Sequence, residues 1–374
     1  MATIDSSWPV SESLCELASY LTDPVCKAHE YYRRAGVVDA LDPTASRVTR
    51  AARKIFLWMG LMGWAALALF TAVPGIGCRS LGARLQEKPF FHMQGHQPPK
   101  SEEGPWSLYS WNICGISGGY PISDGGVVPL WSRIDGIIDK IVEKDADVNC
   151  LYEVFDFKAA TYICKKLAEK GYRSFYCNIG PQAVGVSSGI LVASKYQIEN
   201  PEFSLFPKDS LVGRTKYAAK GVFSFDLKRG ENCFAKIFAT HLQHSEISAE
   251  PTDAERKARE AQMQIIVDKV NQVRDRCIVV TGDLNLDEAE YQNSSWQHSF
   301  TRGDQEVGNT WLGDEFCAKL VGKTVSGPLK LDHTMVLKGT SMQTLVVDVG
   351  YDPKTFTAQA LSDHCGLYST IIHK

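Results

Sequence analysis

The chain has 374 residues, enough for one large domain plus an appendage, and its 44% hydrophobic and 22% charged content excludes a disordered polymer. A net charge of −3 argues against DNA or RNA as a dedicated partner, because such binders are usually basic. The 11 cysteines are odd in number and lack any CxxC pair, which argues against a zinc ribbon or disulfide framework and for a reducing compartment. Cys150 and Cys277, beside apolar runs, read as small core residues.

Residues 1–54 carry no assignable chemistry. Within them, 11–20 and 25–35 read as short helices, with breaks at Asp23-Pro24 and Asp42-Pro43. The basic cluster Arg47, Arg50, Arg53 and Lys54 leads into residues 55–73, an uncharged apolar run near the minimum length for crossing a bilayer. It starts too far into the chain for a signal peptide, and a buried core helix is the plain alternative. Pro74-Gly75-Ile76-Gly77 is expected to end it, and the basic amphipathic residues up to 91 suit the headgroup plane. Residues 55–91 are therefore expected to be a membrane anchor, either a single span or an interfacial one. The positive charge before the run favours an N-terminus inside, whereas the cysteines favour a reducing environment for the rest; an interfacial anchor satisfies both. Residues 92–103, with Pro98-Pro99, read as a linker.

From residue 104 onward, short apolar runs each stop on a polar residue. Residues 106–113 (WSLYSWNI) alternate as a strand ending at Asn112. Residues 131–144 have helical spacing, and 147–152 form a strand that delivers Glu153. A carboxylate there is costly without a partner, and a hard cation such as Mg²⁺ is the natural one. A helix over 158–170 and strands over 173–177 and 189–193 follow. Lys220 opens a strand over 222–227, where its charge can reach a phosphate. The strand over 234–242 ends in His241, a candidate donor or acid/base, with Gln243 and His244 just beyond. A long helix over 252–276 runs into 278–287 (IVVTGDLNLD). Asp283 and Asn285, two residues apart at a strand end, face the same way. The acid can hold a metal or orient water, and the amide can donate to a phosphoryl oxygen. A strand over 329–337 carries Asp332 and His333. Asp363 and His364 precede a last strand over 366–372, an arrangement that suits a general base with a carboxylate fixing its tautomer. Singly, each position also reads as a turn, a surface lysine or a helix-start glutamate. Together they are a set of polar groups at strand ends, which two packed sheets bring to one edge.

With WNI, YE, SGILVASKY, THLQ, GDLN, LDH and SDH in this order over 104–374, the chain resembles the endonuclease/exonuclease/phosphatase superfamily of Mg²⁺-dependent phosphohydrolases. Lys220-Gly221-Val222, His241-Leu242-Gln243 with Ser245, and Arg259 and Gln262 look most like the neutral and bacterial sphingomyelinases. The resemblance implies an α+β fold, a four-layer α/β/β/α sandwich of two facing β-sheets, here preceded by a membrane-associated segment. It implies Mg²⁺ on Glu153 with Asn112 close by, and His364 as general base with Asp363 as its partner. It implies His241 and Asn285 on the phosphoryl charge, Asp283 positioning the water or base, and Asp332 as a supporting acid. Lys220, Gln243 and Asn285 are expected to bind substrate. The implied reaction is water attack on a phospholipid diester at a membrane, sphingomyelin giving ceramide and phosphocholine. His333 departs from the aromatic residue more common there, and no apolar β-hairpin of the secreted bacterial enzymes is apparent in the sequence. The alternatives are a metal-dependent nuclease or a phosphoinositide phosphatase on the same fold, and, from a different class, a non-catalytic membrane interaction protein. The acidic Leu286-Asp287-Glu288 disfavours a multiply phosphorylated ring.

Overall fold

The computed structural model describes residues 9–41, 44–115, 130–182, 185–245, 251–273, 276–303, 308–311, 329–338, 340–347 and 361–372. Helices α1 (Pro9–Leu41) and α2 (Arg47–Leu85) pack along each other as a pair. Each runs through the proline at which the sequence predicts a break, Pro24 and Pro74. An interior proline forfeits a hydrogen bond and crowds the preceding turn, and here the partner helix supplies compensating contact. The two prolines lie at a similar level, because Gly75 packs on Leu21 and Thr22. A Cβ on Gly75 would meet Thr22 at 2.8 Å and one on Gly82 would meet Cys15 Sγ at 3.0 Å, so glycine is what lets the helices approach. Ser11 Oγ donates to Gly82 O at 2.7 Å. The expected break at Asp42-Pro43 lies outside the described residues. The apolar span is not a core helix: Phe56, Met59, Met62, Leu69, Phe70 and Val73 are all more than two-thirds exposed.

The expected anchor stops being helical at Leu85, and its last residue opens a strand, β1 (Phe91–Gln94). Next come β2 (Trp106–Asn112), α3 (Ile134–Lys144), β3 (Val148–Tyr152), α4 (Phe157–Ala168), β4 (Ser174–Cys177) and β5 (Leu191–Ser194). The second half contains β6 (Gln197–Leu205), β7 (Gly221–Arg229), β8 (Asn232–His241), α5 (Asp253–Val270), β9 (Cys277–Asp283) and the short helices α6 (Glu288–Gln292) and α7 (Trp296–Ser299). The chain closes with β10 (Phe300–Arg302), β11 (Asp332–Leu337), β12 (Ser341–Val347) and β13 (Gly366–Ile372). One sheet has the order β1-β4-β5-β3-β2-β13-β12, the other β10-β11-β9-β8-β7-β6.

Three apolar clusters define four layers. Trp106, Leu108, Val148 and Cys150 meet Phe223, Phe225, Ile237 and Val279 between the sheets. Ile137, Ile141, Ile163 and Leu167 of α3 and α4 cover the first sheet, and Met263, Ile266 and Val270 of α5 cover the second. The expected α/β/β/α sandwich is the observed one. Among the described strands each sheet contains one parallel pair joined through a helix, β2/β3 and β8/β9, and the other pairings are antiparallel. The C-terminal ends of the parallel strands therefore lie at one edge with the N-terminal ends of their antiparallel neighbours, and that edge carries the polar residues.

Candidate active site

The geometry centres on Asp283, the last residue of β9. Asn112 Nδ2, from the end of β2 in the opposite sheet, donates to Asp283 Oδ2 at 2.9 Å, and the Asn285 amide N–H donates to Oδ1 at 3.0 Å. His241 ends the neighbouring parallel strand, pairs with Asp283 in register and brings Nε2 to 3.5 Å from Oδ2. From the other side, β11 places Asp332 opposite Asp283. Asp332 Oδ2 accepts from His364 Nδ1 at 2.7 Å, and His364 Nε2 lies 3.9 Å from Asp283 Oδ2. This approach requires Gly282, where a Cβ would stand 1.8 Å from Thr240 O on the adjacent strand.

Backbone conformation at the strand exits is equally specific. Cys114, Glu153 and Asn285 adopt left-handed φ values of 47°, 63° and 50°. Such non-glycine conformations cost about 1–3 kcal/mol each and gather at functional sites. Gly189, also left-handed at 75°, leaves room for Glu153: a Cβ there would meet the Phe155 ring at 2.6 Å and Glu153 Cα at 3.1 Å. Glu153, Asn285 and Asp363 are partly exposed, while Asn112, Lys220, His241, Asp283, Asp332 and His364 are buried. The site thus has a wet side and a dry floor.

Electrostatics separates the titrating groups. Burial raises the Glu153 carboxyl to about 7, with Asp363 adding to the shift and His364 and Lys220 opposing it. Burial lowers the Lys220 ammonium to about 7 against the attraction of Asp283 and Glu153. Burial and Lys220 push His241 well below an ordinary histidine, whereas Asp332 and Asp363 overcome burial at His364 and push it well above. His241 and His364 keep Asp283 low despite its burial, and burial raises Asp332. Two histidines in one site are thus driven in opposite directions, the pattern of divided acid and base roles.

The donor set fits a hard divalent cation. Glu153, His241 and Asp283 form one group with ligand atoms within 4.8 Å of one another, and Asp283, Asp332 and His364 form another. His241 Nδ1, Asn285 Nδ2 and Asp332 Oδ1 are buried atoms with no hydrogen-bond partner among the described residues, which suits a donor set for a bound group.

Comparison with solved structures places this arrangement among known folds. Sphingomyelinase C from Streptomyces griseocarneus superposes with a TM-score of 0.56 at 19% identity, over 71% of this chain and 99% of its own. The beta toxin of Staphylococcus aureus with bound magnesium ions gives 0.56 at 20%, over 72% and 100%. An endonuclease/exonuclease/phosphatase family protein from Bacteroides thetaiotaomicron gives 0.54 at 16%, over 73% and 100%. The chain has the endonuclease/exonuclease/phosphatase fold. No family model matches the sequence, and no curated protein matches it.

Within this fold the expected residues converge, with three changes of contact. The carboxylate that holds His364 is Asp332, across the sheets, and not its neighbour Asp363. Asp363 instead lies beside Cys114 and Glu153. Asn112 has both ends of its amide engaged, Nδ2 on Asp283 and Oδ1 on the Cys114 N–H at 2.9 Å, so it braces Asp283. Gln243, expected to touch substrate, is buried: Oε1 accepts from Val212 N at 2.9 Å and Nε2 donates to Thr215 Oγ1 at 3.0 Å and His244 O at 2.8 Å. Lys220 and Asn285 lie at the site as expected.

Two residues escape the sequence reading. Thr310 Oγ1 accepts from the backbone N–H groups of Leu331 and Asp332, 3.0 Å each, and so sets the start of β11. Arg133, just before α3, is 3% exposed. The sequence carries no signal for it, since an arginine ahead of an Ile-rich helix reads as an exposed charge and only the fold shows its burial.

Proposed function

We propose that the chain is a metal-dependent phosphodiesterase of the sphingomyelinase type, hydrolysing a phospholipid head-group ester at a membrane surface. The observation that carries this reading is the His364–Asp332 pair facing Asp283 and Glu153 across the two sheets. An oriented imidazole and a cation-binding carboxylate within one site are what water attack on a phosphodiester needs. The similarity to sphingomyelinase C supports the substrate class, and the magnesium ions in the beta toxin structure support Mg²⁺ as the metal.

Glu153 and Asp283 would hold the cation. A bound Mg²⁺ would supply Lewis acidity at a phosphoryl oxygen and, as a nearby positive charge, lower His364 towards the range of a base. His364 Nε2 accepts the proton of the attacking water, and Asp332 stabilises the imidazolium that forms. Asp283 orients that water through its remaining lone pairs. Asn285 Nδ2 and neutral His241 donate to the phosphoryl oxygens as charge accumulates, with the Lys220 charge behind them. The P–O bond to the lipid alkoxide breaks as the water oxygen bonds to phosphorus in line.

The α1–α2 pair supplies the membrane contact in this proposal. Its apolar face is exposed, and α2 is the one helix among the described residues long and apolar enough to cross a bilayer. Yet α1 lies along it and carries Lys27, Glu30 and Arg34, paired at 3.0 and 2.9 Å. Crossing would carry these charges into hydrocarbon or strip α1 away, so an interfacial seat is favoured over a span. The pair meets the sandwich beside the site: Lys158, in the helix after Glu153, contacts Asp23 at 3.1 Å, and Arg79 donates to Gly185 O at 3.2 Å.

A substrate panel on the full chain in mixed micelles tests the reading: sphingomyelin, phosphatidylcholine, a phosphoinositide and single-stranded DNA, each with Mg²⁺ and with chelator. Chelator-sensitive phosphocholine release supports it. A nuclease is the second reading, since a zebrafish (D. rerio) TDP2 structure complexed with single-strand DNA product is also similar, at 15% identity and a TM-score of 0.53. DNA cleavage without lipid turnover would select it.

A further inference from the structure

Three backbone carbonyls converge on one buried guanidinium. Arg133 Nη1 donates to Ile113 O and to Leu361 O, 2.6 Å each, and Nη2 donates to Cys114 O. Ile113 and Cys114 follow Asn112 in the exit loop of β2. Leu361 opens the segment that delivers Asp363 and His364. One rigid fork thus ties the loop beside Glu153 to the loop that carries the base.

The same loops are in contact elsewhere. Ser362 Oγ donates to Asn112 O at 2.6 Å, and Trp111 Nε1 donates to His364 O at 2.8 Å. The β2 and β3 exits touch so closely that a Cβ on Gly115 would stand 2.3 Å from Glu153 O. Glu153 and Asp363 both lie within electrostatic reach of Arg133. Two carboxylates that close repel each other. A buried cation behind them opposes that repulsion while its own desolvation is offset by the three carbonyl dipoles.

We propose that Arg133 is a positioning residue for cation binding: its fork fixes the β2 exit loop against the Leu361–His364 segment and so sets where the side chains of Glu153 and Asp363 stand relative to each other. It touches neither substrate nor reacting atoms. This inference rests on the metal-dependent reading above. Arg133→Lys keeps the charge and loses the fork; Arg133→Met loses both. Arg229→Lys is the control, because Arg229 packs against Tyr196 and Phe234, away from the site.

The measurement is the Mg²⁺ dissociation constant of the detergent-solubilised full chain, read from the dependence of its melting temperature on Mg²⁺ rather than from turnover. Loss of the residues that orient metal ligands weakens affinity about 10–100-fold. Arg133→Lys is expected at about the lower end of that range and Arg133→Met at about the upper end, with Arg229→Lys unchanged. Arg133 variants that melt earlier yet bind Mg²⁺ as the parent does would reduce it to a structural staple and overturn the proposal. If Arg133→Met does not fold, Arg133→Lys decides. A parent chain whose melting temperature ignores Mg²⁺ would sink the metal-dependent function itself, and this inference with it.

Discussion

His364 and the two carboxylates around it show how far single residues can be read. Asp363 is adjacent in sequence, yet Asp332 makes the 2.7 Å hydrogen bond from the opposite sheet. Sequence adjacency cannot distinguish these acids, because a loop neighbour can face either way while register fixes a strand residue. Asp332→Asn is therefore expected to reduce kcat by about 10²–10⁴-fold with KM little changed, and Asp363→Asn to act mainly on metal affinity. Steady-state kinetics at saturating Mg²⁺ separate the two; equal losses of kcat would refute the assignment. Glu153 makes a further prediction. With its carboxyl raised from 4.5 to about 7, the protonated form prevails below that value, and a cation must displace the proton. Apparent Mg²⁺ affinity should fall about tenfold for each pH unit below 7, measured by calorimetry in buffers of different ionisation enthalpy. A pH-independent affinity with no proton release would contradict it. Gln243 was legible as a marker of this corner and illegible as a strut, since only the fold shows what its amide faces.

Elements that alternate or repeat at helical spacing are where sequence and structure agree. The strands carrying Asn112, Glu153, His241 and Asp283 all fall where the apolar runs place them. The strands missed among the described residues are β1, β6, β10 and β12, and β12 is a mostly unburied edge strand whose sequence SMQTLVV keeps no strict alternation. β6 holds Pro201, beside a register shift between Glu199 and Glu202, and proline is tolerated only at such edge irregularities. β1 and β10 are only 4 and 3 residues long, too short for a period to register. The continuity of α1 and α2 was illegible because it depends on packing across the pair, which overrides the local cost of proline. At this scale Gly282→Ala is decisive. The clash is with backbone, which cannot rotate away, so the substitution should cost at least about 3 kcal/mol. Denaturant unfolding would register it as a lowered midpoint; an unchanged midpoint would mean β8 and β9 are not so closely apposed.

For the whole molecule, a sandwich whose polar edge gathers residues from both sheets is joined to a helical pair with an apolar, solvent-facing side. The pair contacts the sandwich at the start of α4, at Gly185 and through Cys15, which joins the apolar cluster over the first sheet. Exposed Phe56 and Phe70 contribute to its apolar face. Replacing both with Glu should lower partition onto phosphatidylcholine–sphingomyelin vesicles by at least about 100-fold, since burying each ring contributes about 1.5–3 kcal/mol. Flotation assays read this directly, and unaltered partition would place the membrane contact elsewhere. Hydropathy alone locates the apolar helix but says nothing of its companion, because the charged α1 becomes visible only when it packs against α2.

Metal-dependent hydrolysis of a phospholipid head group, with His364 as the base, is the function proposed for this chain. Phosphocholine release from sphingomyelin micelles by the full chain, with Mg²⁺, with chelator and in His364→Ala, tests it most directly. Release should require Mg²⁺ and fall by at least about 10²-fold in the variant. Release that survives in His364→Ala, or proceeds unchanged under chelator, would contradict it.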